Sequence, residues 1–275
     1  MRWIVCAAAL VLFLLGFGLG LWTGKKSERA ATWAVAASLL ALVARHWLTP
    51  ARELALFPEG TVYLHLRAWW VIPFAMIPLG VGVLRLSTPF ARKGIALFAA
   101  GLFLAAARPV ALTALFDPRE VTGQVGPNGV CIQTTDYTCG AAAAAMLLHA
   151  HGVPASEAEM ALICRTNAFT GTDVYAVAVG LRQKLAGSDR EVRVVGADWA
   201  ALAARRGPSL ATIRFGLLVD HWVMIQELRG DAAVVLDPTR ESARIIPREE
   251  FLSIWRGWLV TADRPGGEAA PVGSR

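Results

Sequence analysis

The run from Trp3 to Trp22 is 20 residues without a charge. At 1.5 Å rise per residue that is long enough for a helix to cross about 30 Å of bilayer core. It predicts a membrane helix rather than a cleaved signal peptide, because the run exceeds an ordinary signal core and Lys25 and Lys26 follow it. Gly16 and Gly20 form a GxxxG inside the run, a spacing that allows close helix packing within the chain or between copies. Three weaker apolar runs follow, Ala30 to Trp47, Ala68 to Leu84 and Gly94 to about Leu115. They are flanked or interrupted by Arg45, Arg67, Arg85 and Arg108, whose long stems can carry the charge to a headgroup layer. The expectation is four spans, with Trp3, Trp22, Trp47, Trp69 and Trp70 near their ends.

Charge divides the chain at the same place. The 275 residues carry a formal +6, but residues 1–116 hold 11 Lys and Arg against 3 Asp and Glu, and residues 117–275 hold 16 against 18. The basic excess therefore punctuates apolar segments, and with the Trp residues assigned to span ends it does not point to nucleic acid. The expected organisation is an α-helical transmembrane anchor at 1–116, a soluble domain at 117–263 and a disordered Gly- and Pro-rich tail at 264–275. The compact basic loops, Lys25, Lys26 and Arg29 and then Arg85, Arg92 and Lys93, favour the cytoplasmic side. Four spans then place both termini and the second domain outside a cytoplasmic membrane. The lipid bilayer, and association with other membrane proteins, are the partners this half implies.

In the second half helices precede strands. Ala141 to His151 is a helix former stopped by Gly152, Ser156 with Glu159 makes a capping box for a second helix, and Asp173 caps a third running to Lys184. Short β-rich runs follow at Val192–Val195, Leu210–Phe215, Trp222–Leu228 and Ala233–Leu236, the last two joined by Arg229-Gly230-Asp231. Pro247 starts a short helix through Trp255, and Trp258–Thr261 reads as a final strand. The pattern predicts an α+β domain with helices packed on an antiparallel sheet.

The candidate chemistry centres on Cys139. Tyr137-Thr138-Cys139-Gly140 precedes a run of Ala, which puts the thiol in the first turn of a helix, where free amides and the helix dipole favour a thiolate. Of the four cysteines, Cys6 lies in the first apolar run, and no spacing to His resembles a metal site. Cys131 and Cys164 can be read as a disulfide of an extracytoplasmic domain or as two buried thiols. A cysteine nucleophile needs a base, and His149 and His151 lie roughly 15 Å or more along the helix. His221 remains, at the start of one strand, with Asp237 ending the next strand roughly opposite it across the Gly230 turn. A carboxylate there fixes the imidazole tautomer. Asp220 points to the opposite strand face, Arg205-Arg206 reads as a solvated helix end, and Asn167 and Asp173 fit loop and cap positions.

Gln133-Thr134-Thr135-Asp136-Tyr137-Thr138-Cys139-Gly140, His221-Trp222-Val223-Met224-Ile225 and Asp237-Pro238 together resemble the papain-like peptidases that process bacteriocin and double-glycine leader peptides. The order Gln, Cys, His, Asp and separations of 6, 82 and 16 residues are similar to that family, as is Trp255-Arg256-Gly257. The likeness spans about residues 128–262. Thr138 departs from the Asp that precedes the nucleophile in many leader peptidases, and the Tyr-Thr-Cys-Gly form resembles stand-alone relatives. The resemblance implies Cys139 as nucleophile, His221 as general base and acid, Asp237 as the group that orients His221, and Gln133 as oxyanion donor beside the Cys139 amide. It implies a peptide or protein substrate and no cofactor. Two alternatives remain open: a module that binds peptide without cutting it, and an amide hydrolase or acyl transferase acting on a non-peptide substrate.

Overall fold

The computed structural model describes residues 2–57, 72–217 and 219–264, and these form two compact units. Arg67, Trp69, Trp70 and the tail residues 265–275 lie outside the described residues. The first unit contains α1 (Arg2–Gly24), α2 (Glu28–His46), α4 (Ile72–Arg85) and α5 (Pro89–Leu115), while α3 (Pro50–Leu56) belongs to the second.

Small residues let α1 and α4 meet. A Cβ on Gly16 would collide with the Pro73 backbone, one on Gly20 with the Ile77 carbonyl, and one on Gly80 with the Phe17 carbonyl. The GxxxG pair is thus used for packing inside the unit. Around it Ile72, Met76 and Ala99 are buried with Phe13, Phe17 and Phe103 packed against them. Arg85 donates to the Gly24 and Lys26 carbonyls, closing the C-terminal end of α1. On the outside, Trp33, Leu40, Phe90 and Leu97 are each at least 70% exposed.

The four expected spans are not supported: among the described residues no single helix is long and apolar enough to cross a membrane. The apolar stretches Leu10–Gly24 and Ile72–Arg85 are short, and the 14 residues of α4 rise only about 21 Å against a core of about 30 Å. A bent pair, Glu28–Arg45 with Pro50–Leu56, passes only when both helices are counted together.

The second unit is built on a six-stranded antiparallel sheet of order β1-β6-β2-β3-β4-β5, with β1 at Glu191–Gly196, β2 at Ser209–Arg214, β3 at Asp220–Arg229, β4 at Ala232–Leu236, β5 at Arg244–Pro247 and β6 at Trp255–Asp263. The helices are α6 (Cys139–Ala150), α7 (Glu157–Ile163), α8 (Val174–Lys184), α9 (Trp199–Ala203) and α10 (Arg248–Ile254). This is the expected arrangement of helices on an antiparallel sheet. Ser156 accepts from the Glu159 amide and Asp173 from the Ala176 amide, so both caps form where the residue types demand them. Gly230 turns the β3–β4 hairpin at φ +58°, a left-handed conformation natural to glycine.

Two strips of side chains cover the sheet. Trp199, Leu202 and Phe251 from α9 and α10 bury Ala211, Ile213, Val223, Ile225, Val235 and Leu259. α6 lies against β3 and is buried from Cys139 through Leu148. Its run Ala141–Ala145 has no accessible surface, because small side chains on every face let a helix be enclosed on all sides. α3 docks within the same unit: the Leu54 carbonyl accepts from Arg182 and the Phe57 carbonyl from the Tyr175 hydroxyl.

Candidate active site

Cys139 opens α6 and is 6% exposed. Its amide, at the first helical position, has no partner inside the helix. The residue before it, Thr138, is fully buried and turns its hydroxyl back on Thr135, 3.1 Å from the Thr135 amide and 3.0 Å from the Thr135 carbonyl. That local knot sets where the helix begins. Gly140 leaves no room for a side chain, since a Cβ would come within 2.7 Å of the Thr172 Cβ and 2.9 Å of the Trp222 ring. Trp222 Nε1 in turn donates to the Thr172 carbonyl at 2.7 Å, binding the start of β3 to the loop above Cys139.

That start of β3 carries His221, paired in register with Ile213 of β2. Nε2 of His221 lies 2.8 Å from Asp237 Oδ1, with both side chains about 5% exposed, and the imidazole also hydrogen-bonds Cys139. The contact is diagonal rather than directly opposite. The β3–β4 register ends at Met224↔Leu236 after an irregularity between Ile225 and Glu227, so Asp237 lies past the last pair. Asp237 is held by its own turn as well: the Thr239 amide and hydroxyl donate to the same Oδ1 at 2.9 and 2.7 Å. The Phe215 ring covers the imidazole at 5.1 Å between centroids.

The electrostatics follow from these contacts. Burial works against the charged imidazole, but the hydrogen bonds to Asp237 and Cys139 outweigh it, and the His221 pKa is raised to about 9. For Asp237 burial likewise opposes the charge, and the donors from His221 and Thr239 overcome it, lowering the pKa to about 2. Both shifts favour the charged form of each partner.

Gln133 comes to the same place on a loop tied at several points. Its backbone amide donates to the Pro238 carbonyl at 2.9 Å, joining it to the Asp237 turn. Its Nε2 donates to the Thr135 carbonyl at 2.6 Å, the same carbonyl that receives Thr138, while its Oε1 is buried without a hydrogen-bond partner among the described residues. A cavity of about 620 Å³, lined in part by Asn128, Ile132 and Glu241, opens beside Gln133. Of the four residues singled out in the sequence, Cys139, His221 and Asp237 meet, and Gln133 is tied by its backbone to the residue after Asp237.

Other residues behave differently. Cys131, Cys139 and Cys164 are free and buried. Burial pushes the Cys131 thiol up to about 12, with the Glu157 carboxylate adding to it, and pushes the Cys164 thiol up as well. Asp220 faces outward onto Arg256 at 2.6 Å. Asn167 accepts from the Phe169 and Thr170 amides, as a loop residue should. Arg206 is exposed, as a solvated helix end should be, but Arg205 corrects that expectation: its side chain is 5% exposed and makes two bonds to Asp263, at 2.8 and 3.0 Å. Glu157 was not singled out in the sequence, because its contact with Thr134 joins residues 23 apart in the chain, which spacing does not reveal. Among the described residues no group of three His, Cys, Asp or Glu side chains is placed to hold a metal ion.

An α+β unit with a buried thiol at a helix start, beside an imidazole bound to a carboxylate, has the layout of a papain-like cysteine peptidase. The Peptidase C39 family pattern matches residues 128–266, half of the chain, and the chain belongs to that family and so to the cysteine peptidases. Several solved structures are similar to part of the chain. The peptidase domain of Streptococcus ComA, a bi-functional ABC transporter involved in quorum sensing, is 20% identical with a TM-score of 0.42, covering 53% of this chain and 98% of its own. A double glycine motif protease from an AMS/PCAT transporter, solved with the leader peptide, is 22% identical with a TM-score of 0.42, covering 52% and 94%. A C39-like peptidase from Bacillus anthracis is 15% identical with a TM-score of 0.41, covering 52% and 98%. No curated protein matches the chain.

Proposed function

We propose that this chain hydrolyses a peptide bond in a peptide or protein substrate, with Cys139 as nucleophile, His221 as proton carrier, Asp237 as the group that orients His221, and Gln133 with the Cys139 amide as oxyanion donors. The observation that carries the reading is the buried His221–Asp237 hydrogen bond on an imidazole that also meets Cys139 at a helix start. Cys139 Sγ attacks the carbonyl carbon, and the carbonyl oxygen takes up negative charge beside the Cys139 N–H and the Gln133 amide. The C–N bond breaks as His221 passes its proton to the leaving amine, giving a thioester. Water then adds with His221 accepting its proton, the C–S bond breaks, and the carboxylate product leaves as the thiol is restored. Asp237 keeps Nε2 bound throughout, so Nδ1 is the nitrogen that exchanges protons.

The helical unit is read as the part that holds the enzyme at a membrane, with the peptidase unit outside. Outward-facing Trp33, Leu40, Phe90 and Leu97 support an apolar surrounding. An iodoacetamide-type probe tests the chemistry: wild type is labelled at Cys139 and cleaves, Cys139→Ala does neither, and equal cleavage by both overturns the reading. Flotation of the full chain with phosphatidylglycerol-containing vesicles supports membrane attachment, and recovery in the free fraction opposes it. A reporter fused after Ala262 that works only in the cytoplasm overturns the outside placement.

A further inference from the structure

We propose that Glu157 is a positioning residue for the acyl-transfer step, holding the corner at Thr134 and through it the Gln133 amide; this rests on the reading of Gln133 as oxyanion donor. Glu157 begins α7, yet its side chain turns inward and has no accessible surface. One carboxylate oxygen accepts from the Thr134 amide at 2.8 Å, and the other from the Thr134 hydroxyl at 2.6 Å and the Gly123 amide at 3.0 Å. Gly123 is shaped to this group, because a Cβ there would strike the Glu157 carboxylate and approach the Ile132 carbonyl at 2.6 Å. The Thr134 hydroxyl accepts in turn from the Thr122 and Gly123 amides.

A buried carboxylate held by three neutral donors is a poor device for stability alone, since an apolar side chain of similar volume often serves as well or better. Its place gives it another use. Gln133 is the neighbour of Thr134; its backbone is anchored on one side to Pro238, and Glu157 grips the next residue on the other. The amide itself has one bond, to the Thr135 carbonyl, so its position follows the backbone.

Two reactions at Cys139 separate positioning from folding. Alkylation by iodoacetamide displaces iodide at a saturated carbon and creates no oxyanion. Acetylation by p-nitrophenyl acetate forms a tetrahedral oxyanion, releases p-nitrophenolate and leaves a thioester. Both are followed on the full chain by mass spectrometry. Glu157→Gln should slow acetylation about 10- to 100-fold, as loss of a partner that orients a working group commonly does, and leave alkylation within about twofold. In a Gln133→Ala background it should add no more than about twofold, because both changes act through one group. Thr134→Val, which keeps shape and loses the hydroxyl, should act in the same direction and decides the matter if Glu157→Gln does not fold. Unchanged acetylation, an equal fall in both reactions, or full additivity with Gln133→Ala overturns the proposal and leaves Cys139 as nucleophile untouched. Acetylation unaffected by Gln133→Ala overturns the oxyanion reading and this inference together. Wild-type Cys139 no more reactive than Cys131 and Cys164 overturns the functional reading itself.

Discussion

The two units treat bulky apolar side chains in opposite ways. In the peptidase unit Tyr175, Phe251, Leu210 and Ile225 are fully enclosed, and the polar groups buried among them, Glu157, His221 and Asp237, all have hydrogen-bond partners. In the helical unit the closest approaches are made by Gly16, Gly20 and Gly80, while Trp33, Leu40, Phe90 and Leu97 face outward. The first pattern is driven by removing apolar surface from water. The second brings helix backbones together at small residues and leaves these bulky apolar side chains at the surface. The four candidate catalytic residues lie in one unit, and variants can show whether function divides in the same way.

The largest expected effect is that of Cys139→Ala, which should reduce hydrolysis by on the order of 10³-fold or more while leaving vesicle flotation unchanged. A loss of flotation in that variant breaks the division of labour. Asp237→Asn should lower kcat by about 10²- to 10⁴-fold, since the neutral amide no longer favours the working tautomer or the imidazolium. Gln133→Ala should lower kcat by about 10²- to 10³-fold with little change in KM, the mark of an interaction made in the transition state.

Stability of the peptidase unit should depend on pH through the same pair. The His221 pKa lies above its ordinary 6.5, so its contribution is fully present below pH 6.5 and is lost as pH rises through about 9. The Asp237 pKa lies below its ordinary 3.8, so its contribution is present above pH 3.8 and is lost as pH falls through about 2. The Tm difference between wild type and His221→Gln should therefore be greatest from about pH 4 to 6.5 and shrink towards pH 9. A flat difference over that range removes the ion pair from the account.

The smallest effect concerns the helical unit. Gly20→Val should destabilise it in detergent micelles by about 1–3 kcal/mol through overpacking, read as a lower Tm, because the Ile77 carbonyl fills that space. Gly18→Val, which meets nothing within 4 Å, should be nearly neutral. Neither should alter Cys139 alkylation, and a change there shows that the units are not separate in function.

Local chemistry accounts for what could be read in advance. A cap needs only Ser156 or Asp173 and the amide three residues on, and a hairpin needs only Gly230 between β-rich runs. The ends of these elements, together with β5 and α9, escaped the sequence reading. β5 has four residues and earns its place only by pairing with β4, and α9 has five residues packed by Trp199 and Leu202 into the sheet core. Arg205 reads as exposed because Asp263, its partner, stands 58 residues away in the chain. The apolar runs of the first half led to four expected spans, whereas among the described residues no single helix is both long and apolar enough to cross a membrane.

By itself the sequence determined which groups can do chemistry: one cysteine ahead of an Ala-rich helix, one histidine in reach by elimination, and an aspartate beyond a glycine turn. These are properties of residue type and short spacing, which survive any packing. Only the tertiary structure decided that His221 and Asp237 meet on a diagonal at 2.8 Å, and that Gln133 is tied to Pro238 while its neighbour Thr134 is held by a carboxylate buried under Gly123. Contacts of that kind depend on sheet register and on which backbone amides lack a partner, and both are settled only when distant segments pack together.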